Sequence, residues 1–472
     1  MSKGTGRIVI RALPVFRACQ PNMAVFLAGS LLRSRDHITG SPETGQILPG
    51  PCQERTMSIS SEETFEQPAA FARRGARGTT ARFRAGYEAR LAHAAGITLY
   101  ESFEAAEPVW RAFEAHAAGT AFQSFDWLST WHRHVGKRLG IEPAIAVVTR
   151  AGEPAMLAPL GIERRFGLNR LVWLGGRMAD YKGPLLARDF EARLDDVSGD
   201  GFAALWRQIR RALPRHDLVM LDSQPVSLGT PSAPLGNPFA ALSSSPAPDA
   251  AYVFGLPSTF EEFSQRYRPE TRRIDRSKFR KLEAAGDVTF RFAETAEERI
   301  AMTEDILSRK AAQLAAQGIS SIFEDADYLA AWHDLAALPE ARKLLDVAEL
   351  RLDGEFLSGS IGHVWRGRST LMVHTYDPEM LPKLSPGRLH LLKLLQSSIE
   401  AGIDTYDLSV GYAAYKESFC DTPMEMRNTI AGTSLAGMGA AVAMRTGLAA
   451  KRRIKSDPRL MKLVRKVRAR LA

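Results

Sequence analysis

The segments FQSFDWLSTWH (122–132) and FEDADYLAAWH (323–333) align at an offset of 201 residues. Phe122, Asp126, Trp127, Leu128, Trp131 and His132 fall on Phe323, Asp327, Tyr328, Leu329, Trp332 and His333. An internal repeat of this length restricts the fold more than composition does, because each copy must read as a similar set of elements. The register continues. AIAVVTRAGEPAMLAPLGIERR and DVAELRLDGEFLSGSIGHVWRG both read as strand, turn, strand, with Gly152-Glu153 opposite Gly354-Glu355 and Gly161 opposite Gly362. Farther on, HDLVMLDS resembles GIDTYDLS at a shorter offset of 185, which sets Asp222 opposite Asp407. Each copy therefore predicts helix, β-meander, helix, strand. A chain of 472 residues is also too long for one ordinary core, so the expectation is an α+β protein of two tandem domains with mixed, mainly antiparallel sheets flanked by helices.

The copies differ at one place. In the second, STLMVHTYD leads through PEMLPKL into SPGRLHLLKLLQSSIEAG, where Leu391, Leu392, Leu395 and Ile399 line one helix face. The first copy has RMADYKGPLLARD there, with no Ser-Pro-Gly helix start. Ser385 as N-cap and Pro386 as first helical residue account for the start by capping alone. Gly387 in the first turn, which costs about 1 kcal/mol in propensity relative to alanine, admits a second reading. The amides of Gly387, Arg388 and Leu389, at the positive end of the helix dipole, offer a phosphate site. The first copy then reads as a structural half and the second as an active one. Ahead of the second copy, RYRPETRRIDRSKFRKLEAAG (266–286) is either a solvated basic helix face or a surface for carrier phosphates.

The net charge of +9 is a property of the ends. Residues 451–472 carry ten basic residues against Asp457, and residues 1–96 thirteen basic against seven acidic, which leaves 97–450 at −6. A nucleic-acid-binding body is not implied. Cys19, Cys52 and Cys420 are scattered and odd in number, which predicts neither a disulfide framework nor a zinc site. No run of about 20 uncharged apolar residues is present. The boundaries predicted are an N-terminal extension at 1–95, disordered or preceding the true start, a first domain at 96–250, a second at 251–433, and a basic amphipathic tail at 434–472. Met57, opening MSISSEETFEQ, is a candidate alternative start. In the tail, Leu460, Leu463, Val464, Val467 and Leu471 follow helical spacing among Lys and Arg, the profile either of a helix on an anionic membrane surface or of a solvated tail. Trp131 and Trp332 are expected to fill the groove between helix and sheet, and His132 and His333 to lie on helix surfaces or at caps. No metal is implied.

A β-meander, a turn, a helix with free N-terminal amides and a further strand resemble the core of the GNAT acyltransferase superfamily, and two fused modules resemble the Fem-type transferases. More narrowly, FQSFDWLSTWH, TYDPEMLPKLSPGRLHLLKLL and YDLSVGYAAYKESF resemble the CelD/BcsL acetyltransferases associated with cellulose and exopolysaccharide biosynthesis, over residues 97–432. LPKLSPGRL carries one glycine where GNAT enzymes usually have Gln/Arg-x-x-Gly-x-Gly/Ala. The resemblance implies acetyl-CoA or another acyl-CoA as co-substrate, held at Ser385, Gly387, Arg388 and Leu389, and a sugar or amino-sugar acceptor. It further implies association with a polysaccharide synthase complex and a cytoplasmic location, peripheral to the inner membrane if 451–472 binds it. A Fem-like transfer from charged tRNA and a non-catalytic scaffold of a synthesis complex are the alternatives.

Acyl transfer needs a group to take the acceptor's proton, donors for the oxyanion and a proton for the departing thiolate. Asp407 is the candidate base or orienter, or else a turn carboxylate before Gly411. Tyr415 is the candidate acid and Lys416 a ligand for phosphate or an acidic substrate group. His374 is an alternative base, its ordinary pKa of about 6.5 suited to the task, or a satisfied strand residue. No Ser-His-Asp or Cys-His arrangement stands out, which favours direct transfer.

Overall fold

A computed structural model describes residues 95–193 and 199–456. The N-terminal extension and the amphipathic stretch beyond Ser456 lie outside the described residues. Strands of the first half are β1 (Ala95–Tyr100), β2 (Ile141–Arg150), β3 (Glu153–Arg165), β4 (Leu168–Trp173), β5 (Leu185–Leu186), β6 (Leu218–Pro225) and β7 (Ser245–Pro246). There follow β8 (Ala251–Gly255), β9 (Val288–Phe292), β10 (Asp346–Leu352), β11 (Glu355–Trp365), β12 (Arg368–Tyr376), β13 (Thr405–Val410) and β14 (Met426–Gly432). The helices are α1 (Phe103–Glu114), α2 (Phe125–Trp131), α3 (Phe190–Arg193), α4 (Gly199–Ala212), α5 (Phe260–Ser264), α6 (Pro269–Glu283), α7 (Ala296–Ala315), α8 (Ala326–Ala336), α9 (Pro386–Glu400) and α10 (Leu435–Ser456).

The fold is α+β, with two mainly antiparallel sheets flanked by helices. The first sheet runs β1-β2-β3-β4-β6-β14-β7, with β5 on β3, and the second β8-β13-β12-β11-β10-β9. The repeat is visible in the turns. Ala151-Gly152 and Asp353-Gly354 close the first hairpin of each meander, and Phe166-Gly167 and Arg366-Gly367 the second, all with positive φ. These are two-residue turns in which both central residues must be left-handed, so that glycine is favoured at the second.

A strand of the second half crosses into the first sheet, an exchange that linear boundaries do not describe. β14, at the end of the second half, pairs antiparallel with β6 of the first sheet, while β8 closes the second sheet against β13. Helix α10, expected as part of a tail, packs on the first sheet, where Ala441 joins Leu218 and Ile430 in a small buried cluster. The halves also share one core. Trp127 of α2 meets Trp332 of α8 edge-on at 5.6 Å, and the cluster around them continues into Val172 of the first sheet and Ile361 and Val373 of the second. Around this core, His134 and Arg133 pair with Asp334, and Arg138 with Asp325. His132, expected on a helix surface, is buried with Nε2 at 3.0 Å from the Ile141 carbonyl oxygen, whereas His333 is exposed. Among the described residues no helix is long and apolar enough to cross a membrane.

Candidate functional site between the halves

In each half the last meander strand and the strand after its connecting helix pair in parallel over three residues and then diverge. In the first, Arg170–Val172 pair with Leu218–Met220; in the second, Arg368–Thr370 pair with Thr405–Asp407. The segment after β4 crosses the first divergence, where the Lys182 amide donates to the Ser223 carbonyl at 2.9 Å. This is the segment RMADYKG that lacks the Ser-Pro-Gly helix start. It places Asp180 and Tyr181 against the second sheet.

Asp407 is fully buried on the face of that sheet turned to the first half. Its Oδ1 accepts the Tyr181 hydroxyl at 2.7 Å and the Ser409 amide at 2.7 Å, while Oδ2 has no partner. A buried acceptor without a partner is costly and marks a place for water or a ligand group. Burial pushes the Asp407 carboxyl above its ordinary value, opposed by the charge of Arg368 and the Tyr181 hydrogen bond. Asp180, also raised by burial, accepts from the Ser409 hydroxyl.

A bulge holds these groups. Ser409 has φ 62° and Gly411 φ 100°, and the β13–β8 register shifts between Asp407 and Val410. The first sheet has the same device, with Ser223 at φ 54° and a shift between Leu221 and Gln224 against β14. The matching bulges set Leu221, not Asp222, opposite Asp407. The sequence alignment is therefore one residue out here, and Asp407 has no carboxylate counterpart in the first half. Asp222 instead pairs with Lys182 at 2.8 Å.

Lys416 is turned inward rather than towards a ligand. Its Nζ lies 3.3 Å from the carbonyl oxygens of both Ser409 and Val410, and burial, partly offset by Asp180, Asp407 and Asp249, lowers its pKa to about 8. It braces the bulge, which corrects its expected role as a phosphate contact. Tyr415 beside it keeps 39 % of its surface exposed, and desolvation of its hydroxyl pushes its pKa up to about 12.

His374 lies on the other face of the second sheet. Alternation from Thr370 is broken by the bulge between Ile361 and Gly362, and His374 points towards α9, with Nε2 at 3.0 Å from the Ser358 hydroxyl and its ring 5.3 Å from that of His390. Burial, then the charges of His390 and Lys310, hold it well below the ordinary histidine value. It is the satisfied strand residue and does not meet Asp407.

The start of α9 also differs from expectation. Ser385 is left-handed (φ 55°), makes no side-chain cap, and its hydroxyl accepts Lys278 Nζ of α6 at 2.8 Å. The amides of Arg388 and Leu389 both donate to the Ser385 carbonyl, at 2.9 and 3.3 Å, so two of the three amides expected to be free are engaged. The Arg388 guanidinium is held bidentately by Asp275 at 2.8 Å, and Leu389 is buried in the core. A Cβ on Gly387 would lie 3.2 Å from Tyr376 Cδ1 and 3.3 Å from His374 Cε1. The glycine thus lets the helix start close onto the end of β12, whatever else approaches it. Among the described residues no group of His, Cys, Asp and Glu is suited to a metal.

Sequence reasoning missed Asp180, Tyr181, Arg368 and Ser409. The one signal for the first two was the polar run ADYK, set where the first copy departs from the second.

Residues 269–417 match the model of the acetyltransferase (GNAT) domain, a stretch that includes α9, Asp407, Tyr415 and Lys416. Asp180 and Tyr181 lie outside it. No protein of curated function matches the chain. Among solved structures, FemX is similar at 12% identity over 71% of this chain and 95% of that one, with a TM-score of 0.46. A conserved protein of unknown function from Bacteroides thetaiotaomicron VPI-5482 is similar at 12% identity, covering 71% and 99% of the two chains, with a TM-score of 0.41. A tandem GNAT protein from the clavulanic acid biosynthesis pathway is similar at 12% identity, covering 72% and 99%, with a TM-score of 0.39.

Proposed function

We propose that the protein transfers an acyl group, acetyl in the first instance, from acyl-CoA to an amine or hydroxyl on a sugar or amino-sugar acceptor in cell-envelope or polysaccharide synthesis. The observation that carries the reading is Asp407, fully buried within the stretch that matches an acetyltransferase domain, with one oxygen fixed by Tyr181 and Ser409 and the other unpartnered. Asp407 Oδ2 takes the proton of the acceptor N–H or O–H as that atom attacks the thioester carbon. The C–S bond then breaks, Tyr415 protonates the departing thiolate, and the proton held on Asp407 passes through solvent to the Tyr415 phenolate, which restores both groups. The Gly387 amide and Lys278 offer positive potential for the carrier phosphates at the start of α9.

The test is calorimetric titration of acetyl-CoA into the full chain, beside Asp407→Asn. Micromolar binding retained by the variant, with acetyl transfer to amino sugars lost, supports the reading. No binding of acetyl-CoA to either protein overturns it in favour of a tRNA-dependent transferase or a scaffold.

A further inference from the structure

A second feature of the boundary between the halves lies beside that chemistry and shares with it Arg368, whose charge acts on Asp407. A cavity of about 160 Å³ opens where the second hairpin of the second sheet meets the loops after β5 and β6. Three arginines line it: Arg188 from the loop after β5, Arg366 from the β11–β12 turn and Arg368 from the first residue of β12. None forms an ion pair among the described residues. Arg366 donates to the Ala117 carbonyl and stacks over the Trp365 ring at 5.1 Å; Arg368, only 4 % exposed, donates to the Gly229 carbonyl at 2.7 Å. Arg188 is exposed, and no hydrogen bond or ion pair holds it among the described residues.

Three guanidinia around one cavity repel one another. Burial and then the charge of Arg188 lower the Arg366 pKa, and the nearby Glu114 carboxylate does not reach ion-pair distance. Such a cluster needs a reason. Neutral carbonyls from the first half fix Arg366 and Arg368, the carboxyls of Glu114 and Asp407 act on them only from beyond ion-pair distance, and the forked guanidinium is the side chain best matched to oxygens of a phosphate. Arg366 also occupies the first left-handed position of its turn, where Asn, Asp or Gly is preferred, so an arginine there is not explained by the turn.

We propose that this pocket binds a phosphate group, so that the protein handles a phosphorylated ligand across the boundary of its two halves. The group belongs either to the acceptor or to the acyl carrier. In the first case the inference extends the acyl-transfer reading by giving the acceptor a phosphate; the pocket itself does not depend on that reading.

Inorganic pyrophosphate is titrated calorimetrically into the full chain, at low and at physiological salt, for the wild type, Arg188→Glu, Arg188→Lys and Arg366→Gln. Binding that weakens tenfold or more in Arg188→Glu and Arg366→Gln, is largely kept in Arg188→Lys and falls with salt is the expected result. Arg188 has no structural partner, so its variants report on the pocket without a folding defect, and the melting temperature checks this. Repeating the titration with saturating CoA separates the sources: unchanged pyrophosphate binding assigns the phosphate to the acceptor, and displacement assigns it to the carrier. Absence of pyrophosphate binding to the wild type, or equal binding by wild type, Arg188→Glu and Arg366→Gln, overturns the proposal. CoA affinity, measured separately, tells that failure apart from failure of the acyl-transfer reading.

Discussion

Tyr181→Phe removes one hydroxyl and leaves the ring, which packs at 5.8 Å from that of Phe122. The lost contact is a buried hydrogen bond of 2.7 Å to Asp407 Oδ1, donated across the boundary between the halves. Hydrogen bonds to charged groups contribute about 1.5–3 kcal/mol. That loss raises the Asp407 pKa. The sign follows from the donor: the hydroxyl favours the carboxylate, so its loss favours the protonated acid, adding to the burial that already raises this group. If ionised Asp407 is the base, the acid limb of kcat/KM moves up and activity at pH 7 falls, while stability drops in urea titration by about 1.5–3 kcal/mol. A Tyr181→Phe enzyme with an unmoved acid limb refutes the assignment of Asp407 as base, and unchanged stability refutes the assigned hydrogen bond. Lost stability with an unmoved limb returns Asp407 to a turn carboxylate.

Other outcomes are separable. His374→Gln is expected to lower the melting temperature, because the buried contact with Ser358 is disturbed, and to leave the pH profile of transfer unchanged. Gly387→Ala sets a methyl against Tyr376 and His374, so acetyl-CoA affinity is expected to fall several-fold in calorimetry as the helix start is displaced. Burial raises the Glu114 carboxyl to about 7 from an ordinary 4.5, so its contribution to stability is fully present below about 4.5 and lost as pH rises through about 7. Glu114→Gln should therefore gain on the wild type by about 1–3 kcal/mol at pH 8, read as a difference between denaturant titrations at pH 8 and pH 4. Removal of residues 435–472 uncovers Leu218 and Ile430 and should destabilise the first sheet, read as a lower melting temperature.

Much of this architecture was legible because local pattern carries it. The meanders, the X-Gly turns and the helix from Pro386 are written in alternation, glycine placement and helical spacing. Asp407 was legible as a candidate, but its neighbours were not. Tyr181 reaches it across 226 positions of sequence, and nothing in the local pattern of ADYK says what that run faces. His374 kept two readings, alternative base and satisfied strand residue, because strand alternation carries no sign of the bulge at Ile361–Gly362, which turns His374 to the face opposite Thr370. One extra residue likewise shifted the pairing of Asp222 with Asp407. Strand exchange between the sheets leaves no local trace, since β14 alternates as well in one sheet as in the other.

That exchange bears on how the chain is made. β6 ends at Pro225 and its neighbour β14 begins at Met426, so roughly 200 residues, or about 10–40 s of synthesis at 5–20 residues per second, separate them. During that interval β6 presents an open edge on a ribosome-bound chain, the kind of surface that invites pairing with another molecule. The first half cannot reach its final form as an autonomous early folder. Its last strand arrives only after the second half has emerged, which ties the two copies into a single cooperative unit.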